Sequence, residues 1–108
     1  MASKAPSKTR RHQRISLPKG MTVAWYGGGI QQESRVKTLS SGGLSVSASI
    51  TRPVGTSLML VFEVPGGVVQ AQAVVRSVTP GKEMGLEFTS MGSQARALLD
   101  DLLQRLLR

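Results

Sequence analysis

Two short stretches hold the residues whose types and spacing could bind an anionic ligand. The first reads RRHQR and contains Arg10, Arg11 and Arg14. Arginine presents a planar fork of donors that fits phosphate oxygens, stacks on flat rings and bonds the O6 and N7 acceptors of guanine. The second stretch, TLSSGG at residues 38–43, combines hydroxyl groups with glycines that a ligand can approach closely. Together the two stretches indicate a site for a flat anionic molecule.

The net charge of +8 is concentrated at the start of the chain. Residues 1–19 carry six Lys or Arg and no Asp or Glu, whereas the remaining residues carry eight basic and six acidic side chains. Such a cationic segment favours an anionic partner. We expect residues 1–9, which are small and polar, to form a disordered basic tail, and residues 10–19 to form an arm that folds over the ligand. Residues 10–108 are then one domain.

The composition argues against catalysis. His12 is the only histidine, cysteine is absent, and the six acidic residues are scattered, so neither a metal site nor a cysteine nucleophile is expected. The serines lack a neighbouring base, and the glycine-rich stretches do not match a phosphate-binding loop. No apolar run is long enough to span a membrane or to form a signal peptide. We therefore expect a cytoplasmic binding protein that uses no cofactor.

Strands must position the two stretches, and the sequence predicts these strands from apolar and polar residues that alternate with a period of two. The most regular is GLSVSASI, residues 43–50, which predicts a strand with four apolar side chains on one face: Leu44, Val46, Ala48 and Ile50. Similar alternation predicts strands at residues 21–27, 32–39, 56–64, 67–78 and 83–88. Six short strands on short turns bury one face most economically as a small antiparallel barrel, because closure also hides the strand edges.

In residues 90–108 the apolar residues recur at helical spacing. They predict a C-terminal helix at about residues 91–107, with Ser90 or Ser93 as its N-cap. Leu103 and Leu107 make its apolar stripe wider than packing on one barrel obviously requires. These leucines either dock on the barrel or form a seam for self-association. We favour docking and expect a monomer or a weak dimer.

The two motifs, in this order and on this fold, resemble the PilZ domain family. Its signature is RxxxR before the first strand and [D/N]xSxxG between strands two and three. The matching residues are Arg10 and Arg14, with Arg11 as an adjacent extra arginine, and then Ser40 and Gly43, with Thr38 at the Asp/Asn position. The likeness covers residues 10–107. It implies a mainly β fold, a six-stranded antiparallel β-barrel with a C-terminal α-helix. This fold agrees with the six strands and one helix that the spacing of the apolar residues predicts.

The resemblance also implies a ligand, cyclic di-GMP. Arg10 and Arg14 would then reach guanine edges and phosphates, Arg11 would stack on a base, and the turn would contact the second guanine or its phosphate. The ligand-binding residues that we assign are Arg10, Arg11, Arg14, Thr38, Ser40, Gly42 and Gly43. The implied function is that of a bacterial second-messenger receptor or adaptor. Binding would order the arm, and a downstream protein of unknown identity would sense the change.

Threonine at position 38 supports an alternative. A carboxylate can accept two hydrogen bonds from the N1–H and N2–H₂ edge of guanine, and a threonine hydroxyl is a poorer acceptor. The alternative is a degenerate PilZ-type module that binds a protein and not the nucleotide. A third hypothesis, binding of single-stranded nucleic acid, ranks last because such barrels stack bases on several exposed aromatics. The four aromatic residues are Trp25, Tyr26, Phe62 and Phe88, and both phenylalanines lie on the inward phase of their strands.

The basic residues outside the arm receive less weight. Arg35 and Lys37 share the outer face of the second predicted strand, and Arg76 lies on the outward phase of its own strand. The outward positions of these basic residues are explained equally well by a solvated barrel surface and by a contribution to the binding site. Arg52 lies in a predicted loop.

Overall fold

The computed structural model of the chain describes the backbone of Ile15–Ser16 and residues 21–107. The predicted tail at residues 1–9, and Arg10, Arg11 and Arg14 of the arm, lie outside the described residues. The described part contains strands and one helix. The strands are β1 (Ile15–Ser16), β2 (Thr22–Gly27), β3 (Ile30–Ser40), β4 (Gly43–Ser47), β5 (Ser57–Val64), β6 (Gly67–Thr79) and β7 (Glu83–Met91), and the helix is α1 (Ser93–Leu106).

The six longer strands form a closed antiparallel barrel, as predicted. They follow the order β3-β2-β5-β6-β7-β4, and β4 pairs again with β3 to close the sheet. The two-residue strand β1 was not predicted; it pairs with β3 at Ile15↔Leu39 and Ser16↔Thr38. One edge of β3 therefore carries both β1 and β2, while its other edge carries β4.

The barrel interior is filled by the alternating apolar side chains, because successive residues of a strand face opposite sides. Trp25 is fully buried at its centre, and its indole N–H donates to the Ser34 hydroxyl oxygen at 2.9 Å. Tyr26, the next residue, lies on the exposed outer face. Phe62 is buried, and Phe88 is half-buried at the margin of the core. The hydroxyl of Ser34 thus gives the only tryptophan of the chain a buried partner.

The prediction of a strand at residues 43–50 was wrong at its C-terminal end. Strand β4 ends at Ser47, and Ile50 is 42% exposed. The pairing of β4 with β7 also ends there, at Ser47↔Glu83, after which the Ala48 N–H donates to the carbonyl of Lys82 in the β6–β7 turn. Without a partner strand, residues 48–56 continue as a loop, and the alternation seen in the sequence is not used.

Helix α1 packs on the barrel through Leu99, which is fully buried, and Leu103, which is 8% exposed. Leu107 is 52% exposed, so only one of the two surplus leucines joins the core. Neither predicted serine caps the helix: the N-cap is Gly92, and no side chain bonds the first turn. Within the described residues, no helix is both long enough and apolar enough to cross a membrane.

The Trp25–Ser34 bond predicts a measurable loss of stability. Ser34→Ala removes the acceptor and leaves the indole donor buried, which costs roughly 1–3 kcal/mol. We expect the free energy of unfolding to fall by about 2 kcal/mol, as measured by tryptophan fluorescence in a urea titration. The control is Thr22→Ala, which removes an exposed bond to Glu33 and is expected to cost less than about 0.5 kcal/mol. Equal losses in the two variants would contradict the prediction.

The close approach of β4 to β7 predicts a second loss. A Cβ at Gly43 would lie 2.1 Å from the carbonyl oxygen of Leu86, so Gly43→Ala forces the two backbones apart. We expect a loss of about 3 kcal/mol, the upper part of the range for overpacking.

The matched control for this second loss is Gly29→Ala. Gly29 has φ +80 and open space around its Cβ position, so this variant reports backbone strain alone, about 1 kcal/mol. A Gly43→Ala variant as stable as Gly29→Ala would disprove the steric argument.

Candidate functional site

The TLSSGG stretch forms the β3–β4 hairpin. Ser40 pairs with Gly43, so Ser41 and Gly42 are the two turn residues. The hairpin lies at the same end of the barrel as β1, because β1 pairs with the last residues of β3. The structure therefore brings together the four predicted site residues that it describes: Thr38, Ser40, Gly42 and Gly43.

Ser40 stabilises the turn from inside. Its side chain is buried, with 3% of the residue exposed. Its hydroxyl accepts a hydrogen bond from the Gly42 N–H and donates one to the Gly43 carbonyl, both at 3.2 Å. Ser and Asp side chains commonly close turns in this way, by bonding the backbone a few residues ahead. In this structure the Ser40 hydroxyl shapes the hairpin rather than pointing into solvent.

Gly42 and Gly43 are held by strand β7. The Phe88 N–H donates to the Gly42 carbonyl at 2.8 Å, and Gly43 is buried directly opposite Glu87. Since a Cβ at Gly43 would clash with the carbonyl of Leu86, glycine is needed there for strand packing. Gly42, the turn residue, is half-buried and has no side chain to cover its backbone.

Thr38 lies beside a β-bulge. The register between β3 and β4 shifts between Val36 and Thr38, which gives β3 one extra residue, Lys37. A bulge of this kind re-aims the side chains next to it. The Thr38 and Ser45 hydroxyl oxygens lie 2.7 Å apart and share a hydrogen bond, in a half-buried position. Ser45 was not predicted as a site residue; the only signal for it was a further hydroxyl three residues after the turn.

Arg96 of helix α1 also contacts the turn. One of its guanidinium nitrogens donates to the Ser41 carbonyl at 2.7 Å, and the same nitrogen lies 3.6 Å from the Asp100 carboxylate. The sequence analysis missed this residue as well. Arg96 is 55 positions from Ser41 in sequence, and no local pattern connects an arginine in an amphipathic helix with a distant turn.

Strand β1, which follows the first motif in the sequence, pairs with the second motif. Ser16 lies opposite Thr38, and Ile15 lies opposite Leu39, within the TLSSGG stretch. Arg14 is the residue immediately before Ile15 in the sequence. The backbone pairing thus holds the middle of the arm, Ile15–Ser16, beside the hairpin, and Arg10, Arg11 and Arg14 lie outside the described residues.

The other basic residues lie elsewhere or are paired. Lys37 forms an ion pair with Glu83, and Arg76 forms one with Glu87, both on the exposed outer face of the barrel. Arg35 is exposed on β3. Arg52 packs against Gly28 in the β2–β3 turn, at the opposite end of β3 from the hairpin, and its Nε is buried without a hydrogen-bond partner. The structure places Trp25 in the core, away from any surface site.

No group of three or more His, Cys, Asp or Glu side chains is arranged to hold a metal ion in residues 21–107 and the two residues of β1. Donors and hydroxyl groups dominate the hairpin instead. They are the Arg96 guanidinium, the Thr38 and Ser45 hydroxyls, and the half-buried backbone of Gly42. Such a surface can hydrogen-bond an anion or the edge of a base.

Comparison with solved structures identifies the same fold in bacterial proteins. The Bacillus subtilis inhibitor of motility, MotI/DgrA, aligns with a TM-score of 0.74 and 23% identity over 91% of this chain and 51% of its own. Borreliella burgdorferi PlzA, in complex with cyclic di-GMP, aligns with a TM-score of 0.70 and 20% identity over 93% of this chain and 43% of its own. The chain thus spans about half of each of these proteins.

A neighbour of similar size is the PilZ domain of Escherichia coli YcgR with cyclic di-GMP. It aligns with a TM-score of 0.71 and 19% identity, over 92% of both chains. A comparison with curated protein sequences finds no match. The family model for the PilZ domain, however, matches residues 8–105, nearly the whole chain and both motifs. The chain belongs to the PilZ domain family.

Proposed function

We propose that this protein is a cyclic di-GMP receptor, in which the arginine arm and the β3–β4 hairpin close on the dinucleotide. Membership of the PilZ family and the cyclic di-GMP complexes of PlzA and YcgR support this ligand. The observation that carries the proposal is the pairing of Ile15–Ser16 with Leu39 and Thr38. That pairing brings the residue after Arg14 next to the hairpin, so both halves of the site can reach one ligand.

The chemistry of the ligand fits these residues. Cyclic di-GMP has two anionic phosphodiesters and two guanines. Arg10 and Arg14 supply planar donor pairs for phosphate oxygens and for the O6 and N7 atoms of guanine, and Arg11 stacks on a base. On the barrel side, the absence of a side chain at Gly42 lets the ligand approach the turn backbone, and Gly43 holds the hairpin against β7.

Thr38 and Ser40 have different tasks on the barrel side. Ser40 keeps the turn in shape through its bonds to Gly42 and Gly43. The Thr38 hydroxyl, beside Ser45, offers a hydrogen bond to a guanine edge.

Binding would act as a signal through the arm. A segment with six basic and no acidic residues repels itself, and a dianion bound across it reduces that repulsion. The ordered arm and the adjacent barrel surface then present a new face to a downstream protein, so the chain acts as an adaptor and not as an enzyme. We propose that it works in the cytoplasm as a monomer or weak dimer, without a cofactor.

One observation favours a second function, a protein-binding module that no longer binds the nucleotide. Position 38 carries a hydroxyl in place of the family's Asp or Asn, and that hydroxyl already shares a hydrogen bond with Ser45. A guanine edge would compete with Ser45 for it. Binding of a protein partner does not need this acceptor. The calorimetric test below separates the two functions.

We expect cyclic di-GMP to bind the wild-type protein at micromolar or lower concentration, and Arg14→Ala to weaken binding by at least about tenfold. Loss of a charged hydrogen bond is worth roughly 1.5–3 kcal/mol, enough for that change. Isothermal titration calorimetry measures both affinities, with GTP as the ligand control. Arg35→Ala removes the same charge from an exposed position on β3 and should change the affinity less than about twofold. Absence of heat from a wild-type protein with normal β circular dichroism would reject the nucleotide function.

Thr38→Asp should tighten binding of cyclic di-GMP by about tenfold. The carboxylate accepts from both guanine donors, and the Ser45 hydroxyl is placed to donate to it as well. Thr38→Asn has an acceptor oxygen without the charge and should fall between the two. Cyclic di-AMP, whose adenines lack the N1–H and N2–H₂ donors, should gain nothing from Asp. An equal gain for both dinucleotides, or weaker binding of cyclic di-GMP by the Asp variant, would contradict this assignment.

A further inference from the structure

The Arg96 side chain of helix α1 contacts the hairpin. The Arg96 guanidinium donates to the Ser41 carbonyl at 2.7 Å, in a partly buried position, and Arg96 lies in the first half of Ser93–Leu106. Neither RxxxR nor [D/N]xSxxG includes this residue. We propose that Arg96 is a positioning residue of the nucleotide site, one that fixes the turn in the orientation that accepts an anion. This inference rests on the proposed function.

The direction of the turn carbonyls determines whether the hairpin can accept an anion. A carbonyl oxygen that points at a phosphate repels it, so a turn that binds an anion has to direct its carbonyls away from the ligand and its N–H groups or glycine backbone towards it. Both turn carbonyls here are bonded from the body of the protein. Ser41 is bonded by Arg96, and Gly42 by the Phe88 N–H at 2.8 Å. The second bond joins two backbone groups of the barrel, whereas the first is made by the Arg96 side chain.

Arg96 also places a positive charge beside the turn. Arg96 brings a guanidinium to within hydrogen-bond distance of the turn backbone, and its side chain remains 39% exposed. Its ion pair with Asp100 is long, at 3.6 Å, so this carboxylate only partly offsets the positive charge. A cation at this position favours a dianionic ligand on the hairpin. Arg96 thus orients the Ser41 peptide and also contributes to the field at the site.

The helix offers a matched control. Arg105 also lies on α1 and pairs with an aspartate four residues away, Asp101, at 2.9 Å. Its side chain is exposed, and it has no hydrogen bond to the hairpin. Replacing Arg105 therefore removes an equal charge and a similar helical ion pair without affecting the turn.

The experiment compares Arg96→Ala, Arg96→Lys and Arg105→Ala with the wild type. By calorimetry, we expect Arg96→Ala to weaken cyclic di-GMP binding about tenfold and Arg96→Lys, which keeps a charge and a donor, to weaken it about threefold. Arg105→Ala should stay within about twofold of the wild type. Thermal unfolding of the four proteins is measured in parallel. The proposal would be overturned if the affinity for cyclic di-GMP fell in proportion to the melting temperature across the four proteins and Arg96→Lys did not restore it. Such a result would show that Arg96 has only a structural role.

A second readout requires no ligand. Amide NMR spectra of the ligand-free proteins should show displaced signals for Ser41, Gly42 and Gly43 in Arg96→Ala, with smaller displacements in Arg96→Lys and none in Arg105→Ala. Unchanged hairpin signals in Arg96→Ala would overturn the proposal even if cyclic di-GMP binds. Conversely, if the wild type binds no nucleotide, the receptor function fails, and the spectra still decide whether Arg96 sets the turn.

Discussion

Strand β3 is the element on which the rest of the structure depends, because it pairs with three other strands. Its first half pairs with β2, its second half pairs with β4, and its last residues also pair with β1. The β3–β4 pairing closes the barrel, and the β1–β3 pairing places Ile15–Ser16, the middle of the arm, beside the hairpin. Closure removes exposed sheet edges, which would otherwise invite aggregation. The same eleven residues therefore determine the fold and the position of the candidate site.

The hairpin shows why two of the signature residues are first of all structural. Ser40 is buried and bonds to the turn, and Gly43 lies where any Cβ would meet the backbone of β7. A serine and a glycine at these positions create a tight turn against a neighbouring strand whether or not a ligand is present. Thr38, one position before the last buried pair of the strand, is half-buried, and its hydroxyl meets the Ser45 hydroxyl. This difference explains how position 38 can change while Ser40 and Gly43 keep the hairpin unchanged.

The sequence was sufficient to predict the barrel, since alternation reports burial directly: one face of each strand has to be apolar. Phe62 and Leu60 are buried for that reason. Alternation was misleading at Ile50, because a strand also needs a partner and β7 pairs with β4 only as far as Ser47. Two residues of β1 are too short a segment to show a period. The Arg96 contact joins distant parts of the chain, and only the packing of α1 on the barrel creates it.

Charge is divided between the two parts of the chain in a way that suits a switch. In residues 21–107, four ion pairs use most of the acidic side chains: Lys37–Glu83, Arg76–Glu87, Arg96–Asp100 and Arg105–Asp101. The barrel is therefore close to self-neutralised, and residues 1–19 carry the surplus positive charge. A neutral barrel neither holds a basic arm by strong attraction nor expels it. Under the proposed receptor function, a dianion bound on the hairpin would attract the arm at short range with little competition from the body of the protein. A strongly acidic barrel would capture the arm without any ligand, and the near balance of acidic and basic residues in the barrel is what the proposed control of the arm by a ligand requires.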